Sequence, residues 1–191
     1  MSRINDLAVS TAPEIWHWAF QGDGEALDRC FSAWWASDDS MYSYRLGRVI
    51  YEGDDAVALE LGYTRREKME KAEATVAIAS DILEPARHEH LLSAFGWFDY
   101  LCPPIPEQAY YVQWLATDPH ARRRGLGRRL LTEAFERSRS LGVKEVQLDV
   151  KSTNPAVKFY QHLGMEILSE CRVPFLEQHD IPSHYRMVKY L

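Results

Sequence analysis

The chain has 191 residues, 46% of them hydrophobic, and a formal net charge of -6, which predicts a single domain with a sizeable core. An acidic chain is a poor match for general nucleic-acid binding, and three widely spaced cysteines without a Cys-x-x-Cys pair argue against a disulfide framework or a zinc site. No apolar run reaches the length of a membrane span, and the first residues lack a signal-peptide core, so we expect a cytoplasmic protein with no bound metal.

The first half of the chain predicts helices around one hairpin. Apolar spacing favours helices at residues 12–20, 25–36, 64–82 and 88–98. Two strands, 42–51 and 56–63, flank a turn in which Gly53 supplies hairpin chemistry. Three prolines then predict a loop over residues 100–106.

The second half alternates strands with helices, which predicts a mixed α/β domain. Strands are expected at 109–117, 144–150, 165–172 and 184–190, and helices at 128–141 and 155–163. Asn154 followed by Pro155 is the sequence signal for the second helix start. Glu133 and Arg137, four residues apart, are expected to pair on the surface of the first helix.

A glycine turn, Arg122–Gly127, links strand 109–117 to helix 128–141. Its two glycines let the backbone approach a ligand, and the helix start adds unpaired N–H groups and a positive dipole end. Neighbouring arginines add full charges, so the turn predicts a phosphate or pyrophosphate pocket. It fits neither a Walker A loop nor the dinucleotide fingerprint, because Leu130 stands where the latter needs its third glycine. An ordinary turn with solvated arginines is the plain alternative.

A second motif, Asn154–Met165, lies one helix and one strand downstream of the turn. Together the motifs resemble the GNAT superfamily of coenzyme A-dependent N-acetyltransferases, over roughly residues 110–166. Met165 departs from the family's usual aromatic at that place. The resemblance implies a central mixed, mostly antiparallel sheet flanked by helices, with splayed central strands. It also implies an acceptor-side region at 1–108, an acetyl-CoA-binding core at 109–166 and closing strands at 167–191.

The resemblance implies acetyl-CoA as co-substrate and assigns residues to it. The implied coenzyme-binding residues are Leu115, Thr117, Arg122, Arg123, Arg124, Gly125, Gly127, Arg128 and Asn154. Backbone N–H groups of the turn would hold the pyrophosphate, with Arg122 closing it, and one or two of the nearby arginines would reach a coenzyme phosphate. Leu115 and Thr117 would pair with the pantetheine arm as a further strand would, and Asn154 would also contact that arm.

The resemblance also implies catalytic roles. The Leu115 backbone N–H would stabilise the oxyanion, and Tyr160 would protonate the leaving thiolate as general acid. A core aromatic is the alternative for Tyr160.

The general base is left open, because the family's glutamate falls near Tyr111, whose high ordinary pKa makes a poor base. Glu107 is the first candidate, directly or through water. His184 ranks after it, and Gln113 could only orient a water.

The expected reaction is direct transfer of the acetyl group to an amine of a small molecule or peptide in a ternary complex. A non-catalytic coenzyme A-binding or sensing module is the alternative, and a homodimer is an open expectation. The resemblance implies that the first helices, the hairpin and the loop before residue 184 form the acceptor site. Most aromatic residues of these regions are expected in the core, and some could wall an apolar or aromatic substrate pocket: Trp16, Trp18, Trp34, Trp35, Tyr42, Tyr44, Trp97, Phe98 and Tyr100. The proline-rich loop could form a further wall. Five aspartates could attract a cationic amine or simply be solvated: Asp38, Asp39, Asp54, Asp55 and Asp99.

Overall fold

The computed structural model describes residues 3–191, which form a sheet with helices on both faces. The helices are α1 Arg3–Val9, α2 Pro13–Ala19, α3 Gly24–Ala36, α4 Arg65–Ile82, α5 Pro85–Leu101, α6 Leu126–Ser140, α7 Ala156–His162 and α8 Pro174–Glu177. The strands are β1 Gly47–Glu52, β2 Asp55–Thr64, β3 Ala109–Thr117, β4 Glu145–Lys151, β5 Glu166–Cys171 and β6 His184–Tyr190. A short 3₁₀ turn, Pro119–Ala121, follows β3.

The strands run in the order β1-β2-β3-β4-β6-β5, and every neighbouring pair is antiparallel except β3 with β4. The predicted mixed, mostly antiparallel sheet is therefore confirmed. The parallel pair joins Ala109–Tyr111 only to Glu145–Gln147, and the two strands separate beyond that point. The central strands thus splay, as the resemblance implied, and leave a cleft at their carboxyl ends.

The two sides of the sheet bury different helices. Tyr111 and Trp114 of β3 pack with the N-terminal helices, where Trp114 stacks on Tyr42 with ring centroids 4.9 Å apart. Tyr110 and Val112 of β3 pack with α6 and α7 on the opposite side. Side chains alternate across a strand, and a bulge at Gln113 in the pairing with β2 keeps Trp114 on the same side as Tyr111. Strand β3 therefore contributes to both cores.

Several predicted boundaries need correction. Helix α5 begins at Pro85, because proline lacks an N–H and fits the first turn, and it runs through Leu101 into the predicted loop. Strand β1 begins at Gly47 rather than at residue 42. The Ser40 hydroxyl accepts from the Tyr42 N–H at 3.0 Å, which favours a turn over a strand ladder there. Helices α1 and α8, of seven and four residues, were not predicted.

The predicted Glu133–Arg137 pair is wrong. Glu133 pairs with Arg129, while Arg137 turns toward the sheet and donates to Glu60 at 2.6 Å and to the Tyr110 hydroxyl at 2.8 Å. Burial raises the pKa of Glu60, whose side chain is fully buried, and Arg137 opposes that rise. This buried ion pair therefore ties α6 to β2, the neighbour of β3 in the sheet.

Replacing Arg137 with methionine should lower the free energy of unfolding by about 3 kcal/mol, because it leaves the buried Glu60 carboxylate without its partner. The matched control is Arg129→Met on the same helix, whose exposed pair with Glu133 should be worth less than about 1 kcal/mol. Urea unfolding of both variants measures the difference. Equal losses would show that Arg137 contributes no more than a surface pair.

Candidate active site

A cavity of about 830 Å³ lies where β3 and β4 separate. Leu115 and Thr117 of β3 line one wall, and Asp149 and Lys151 of β4 line the facing wall. The glycine turn and α7 also border it, and residues of the α1–α2 connection, α2, α4 and α5 line the remainder. The cavity therefore connects the predicted coenzyme site with the region expected to hold the acceptor.

The glycine turn has the backbone geometry of an anion site. Gly125 has φ +80° and Arg123 has φ +61°, so both lie in the left-handed region. Helix α6 begins directly after Gly125, which supplies no side-chain cap, and the first N–H groups of a helix lack intrahelical partners. A left-handed non-glycine residue such as Arg123 is strained by about 1–3 kcal/mol, and such strain concentrates at ligand-binding segments.

The arginines of the turn divide into two groups. Arg122, Arg123 and Arg128 lie at the cavity and are exposed. Arg124 instead pairs with Glu52 of β1 at 2.6 Å, and Arg129 pairs with Glu133. The structure therefore does not bring Arg124 to the site, whereas Arg123 and Arg128 remain placed for phosphate groups.

The remaining predicted coenzyme residues line the same cavity. Leu115 and Thr117 lie beyond Tyr111, where β3 has no strand partner on its β4 side. The Asn154 side-chain oxygen accepts from the Ala156 N–H at 2.9 Å. The N-cap of α7 is Pro155, however, so the helix begins one residue later than predicted and Asn154 precedes its cap position. Its amide nitrogen has no partner within residues 3–191 and is available to a ligand.

Tyr160 projects into the cavity from α7 and is 8% exposed. Burial raises the pKa of its hydroxyl to about 12. The hydroxyl is therefore protonated at neutral pH, as a general acid must be.

Tyr111 is held in a buried network that sequence reasoning missed. Its hydroxyl donates to Asp149 at 2.8 Å, and both Asp149 oxygens also accept from Arg186 at 2.7–2.8 Å. Burial and the nearby Asp149 charge raise the pKa of Tyr111 well above its usual value, which excludes it as a base near neutral pH. Both β4 and β6 carry other charged residues, so nothing in the sequence singled out Asp149 and Arg186 as partners.

The other candidate bases differ in position. Glu107 is exposed at the closed end of the β3–β4 pair and does not line the cavity, so the geometry argues against it as a direct base. Gln113 lines the cavity, but its side-chain oxygen already accepts from the Tyr63 hydroxyl at 2.6 Å.

His184 is the candidate base that the structure brings to the site. It is 7% exposed, lies at the first position of β6, and pairs across the ladder with Lys151. Its Nδ1 lies 3.0 Å from the Pro182 carbonyl oxygen, which can only accept, so Nδ1 carries the proton and neutral Nε2 keeps its lone pair. Burial lowers the pKa of His184 below 6.5, which favours this neutral form.

The half of the cavity away from the glycine turn has mostly apolar walls. The apolar and aromatic residues that line it come from α2, α5 and the segments near them: Ile15, Trp16, Met41, Tyr42, Phe95, Phe98, Pro103 and Ile105. The proline-rich segment is therefore one wall of this acceptor half, whereas the β1–β2 hairpin turn is not. The charged residues there are Lys68, Asp99 and the bonded Asp149–Arg186 pair.

Residues 3–191 contain no helix long and apolar enough to cross a membrane. The same residues hold no group of three His, Cys, Asp or Glu side chains suited to a metal ion.

Comparison with known proteins agrees with the geometry. Residues 86–165 match the model of the acetyltransferase (GNAT) family, and no curated protein matches the chain. A solved acetyltransferase structure superposes with TM-score 0.69 at 15% identity, covering 98% of this chain and 92% of that one. An N-acetyltransferase from Staphylococcus aureus gives 0.60 at 15% identity, with coverage of 86% and 79%. A Bacillus subtilis acetyltransferase in complex with CoA gives 0.53 at 13% identity, with coverage of 97% and 90%. The resemblance to the GNAT acetyltransferases and their fold is thus confirmed.

Proposed function

We propose that this chain, whose residues 86–165 match the model of the acetyltransferase (GNAT) family, transfers an acetyl group from acetyl-CoA to an amine in a ternary complex. The observation that carries the proposal is the cavity between β3 and β4, which joins the anion-binding turn to a buried tyrosine and a buried histidine. The CoA complex of the B. subtilis acetyltransferase of similar fold supports coenzyme A as the ligand of this turn.

The donor would occupy the glycine-turn half of the cavity. Backbone N–H groups at the start of α6, with Arg123 and Arg128, would hold the pyrophosphate. The pantetheine arm would lie along the unpaired side of β3, within reach of the Asn154 amide. The Leu115 N–H would then donate to the thioester carbonyl oxygen.

Acetyl transfer needs a base beside the attacking amine and an acid beside the departing sulfur. The amine nitrogen would attack that carbon while His184 Nε2 takes its proton. The oxyanion would collapse by breaking the C–S bond, and the Tyr160 hydroxyl would protonate the departing thiolate. The products are an N-acetyl amine and free coenzyme A, with both side chains reset by solvent.

The His184→Gln variant should lower kcat/KM by about 100-fold, because it removes the base but keeps a polar side chain. Both the amine and His184 must be unprotonated for attack. For a primary amine, log kcat/KM of the natural protein should therefore rise with slope two below the pKa of His184, which lies below 6.5, and with slope one above it. The variant should show slope one throughout, measured as thiol release.

The Glu107→Gln variant decides between the two base candidates. It should behave like the natural protein, because Glu107 lies outside the cavity. If Glu107→Gln removes the steep acidic limb and His184→Gln retains it, the base assignment is reversed.

A non-catalytic coenzyme A-binding module is the second candidate, and one observation favours it. Tyr111 stands where several family members have a catalytic glutamate, and it is locked to Asp149. A module of this kind would bind coenzyme A but release no thiol from acetyl-CoA with any amine. Calorimetric coenzyme binding combined with the thiol assay separates the two functions.

A further inference from the structure

Lys68 is a half-buried cation at the acceptor half of the cavity, and within residues 3–191 it makes no ion pair. Two nearby lysines, in contrast, already have partners within the protein. Lys71, one turn later on α4, donates to the Asp38 carbonyl at 2.6 Å, and Lys151 pairs with Glu14 at 2.6 Å. Lys68 is therefore a charge that the protein itself leaves available to a ligand.

The surroundings of Lys68 strengthen its attraction for an anion. Ala72 and Val76 lie one and two turns further along α4 on the same face, and they line the cavity with Lys68. Phe95 and Phe98 of α5 close this apolar wall. A charge beside apolar walls is less well solvated than one on an open surface, so a charged ligand group can compensate it strongly.

The same region offers little to a second cationic group. Both oxygens of Asp149 are bonded to Arg186, and one also accepts from Tyr111. Asp99 is the other carboxylate of the cavity wall, and it is exposed to solvent. Polycationic acceptors therefore meet no buried free carboxylate in this half of the cavity.

We propose that the acceptor is a small amine with an apolar side chain and a carboxylate, as in an apolar α-amino acid, and that Lys68 binds the carboxylate. The proposal rests on the acetyl-transfer function above. One lysine matches the single negative charge of a carboxylate, and the wall of Ala72, Val76, Phe95 and Phe98 matches the apolar side chain.

The direct test compares amines that differ only in the carboxylate. L-Phenylalanine with phenethylamine, and L-leucine with isoamylamine, are suitable pairs, each corrected for its protonated fraction. We expect kcat/KM to be about 10- to 100-fold higher for the amino acid, the range of one charge-assisted hydrogen bond. The Lys68→Met variant should raise KM for the amino acid by that factor and leave KM for the decarboxylated amine unchanged.

The matched control is Lys71→Met, because Lys71 lies on the same helix but bonds outside the cavity. Lys71→Met should leave KM unchanged for both the amino acid and the decarboxylated amine, and should keep the preference for the amino acid. Equal turnover of the paired amines by the natural protein, or an unchanged preference in Lys68→Met, would overturn the proposal.

Binding measurements keep this proposal separate from the acetyl-transfer function. Calorimetry in the presence of coenzyme A should show tighter binding of L-phenylalanine than of phenethylamine, and the Lys68→Met change should remove the difference. If neither amine is acetylated but this binding preference is present, the acetyl-transfer function fails and the carboxylate site stands. If binding shows no preference, the carboxylate site fails.

Discussion

Replacing Tyr160 with phenylalanine should lower kcat by about 10²- to 10³-fold, the contribution of a positioned general acid. The hydroxyl makes no hydrogen bond within residues 3–191, so its removal breaks no structural contact. Phenylalanine also preserves the ring, whose centroid lies 5.3 Å from that of Phe159. The pKa of about 12 keeps the Tyr160 hydroxyl protonated at neutral pH, so it can donate to sulfur as the C–S bond breaks. The dissociation constant of coenzyme A should therefore change by less than about threefold.

Stopped-flow or steady-state thiol release gives kcat, and calorimetry gives the coenzyme affinity. Tyr190→Phe is the matched control, because that tyrosine is 63% exposed and lies outside the cavity. It should change neither quantity. Unchanged turnover in Tyr160→Phe would remove Tyr160 from the mechanism and leave it as a packing residue of α7.

Replacing Gly127 with alanine should weaken coenzyme A binding by about 100-fold. A methyl group at this position would meet Thr117 Oγ1 at 3.5 Å and Phe159 Cζ at 3.7 Å, both ordinary contacts, so the free protein can hold it. The same methyl group would stand between the pyrophosphate and the N–H groups at the start of α6. Losing two charge-assisted hydrogen bonds corresponds to about 3 kcal/mol, or about two powers of ten in affinity.

Calorimetric titration with coenzyme A tests this prediction, and thermal unfolding shows whether the fold is preserved. Gly24→Ala is the matched control, since Gly24 is exposed at the start of α3 and a methyl group there meets nothing within 4 Å. Full coenzyme affinity in a folded Gly127→Ala protein would move the pyrophosphate away from this turn.

The elements predicted well are those whose signals are local. Strands 109–117 and 184–190 have the predicted bounds, because runs of aromatic and apolar residues next to proline-containing breaks mark them in the sequence itself. The glycine turn was equally readable, since a left-handed residue between a strand and a helix demands glycine at Gly125. The positive φ of Arg123 was not readable, because nothing in an arginine signals that conformation.

The residues that sequence reasoning misplaced are those whose partners lie far along the chain. Arg137 has an acceptable local partner in Glu133, yet it bonds to Glu60, 77 residues away, because that carboxylate is fully buried. Asp149 and Arg186 similarly meet only when β4 pairs with β6. Sequence spacing alone does not show whether a charged residue pairs with a nearby residue or with a distant one. Burial of the distant partner decides the pairing, because a buried charge without a partner is costly.

The residues of the acceptor site also depend on packing that local sequence does not reveal. Lys68 lay in a helix rich in charged residues, where a solvated side chain is the ordinary expectation. Only the packing of α4 against the cavity distinguishes it from Lys71. His184 was a candidate base from its chemistry, and the bond from its ring to Pro182 supplies the tautomer that sequence cannot show.

The most direct test of acetyl transfer is to incubate the protein with acetyl-CoA and a panel of amines, following thiol release and identifying the acetylated amine by mass spectrometry. We expect stoichiometric formation of N-acetyl amine and free thiol, abolished in Gly127→Ala at low acetyl-CoA and slowed in Tyr160→Phe. Tight binding of coenzyme A without an N-acetyl product from any amine would contradict an acetyltransferase and identify a coenzyme-binding module.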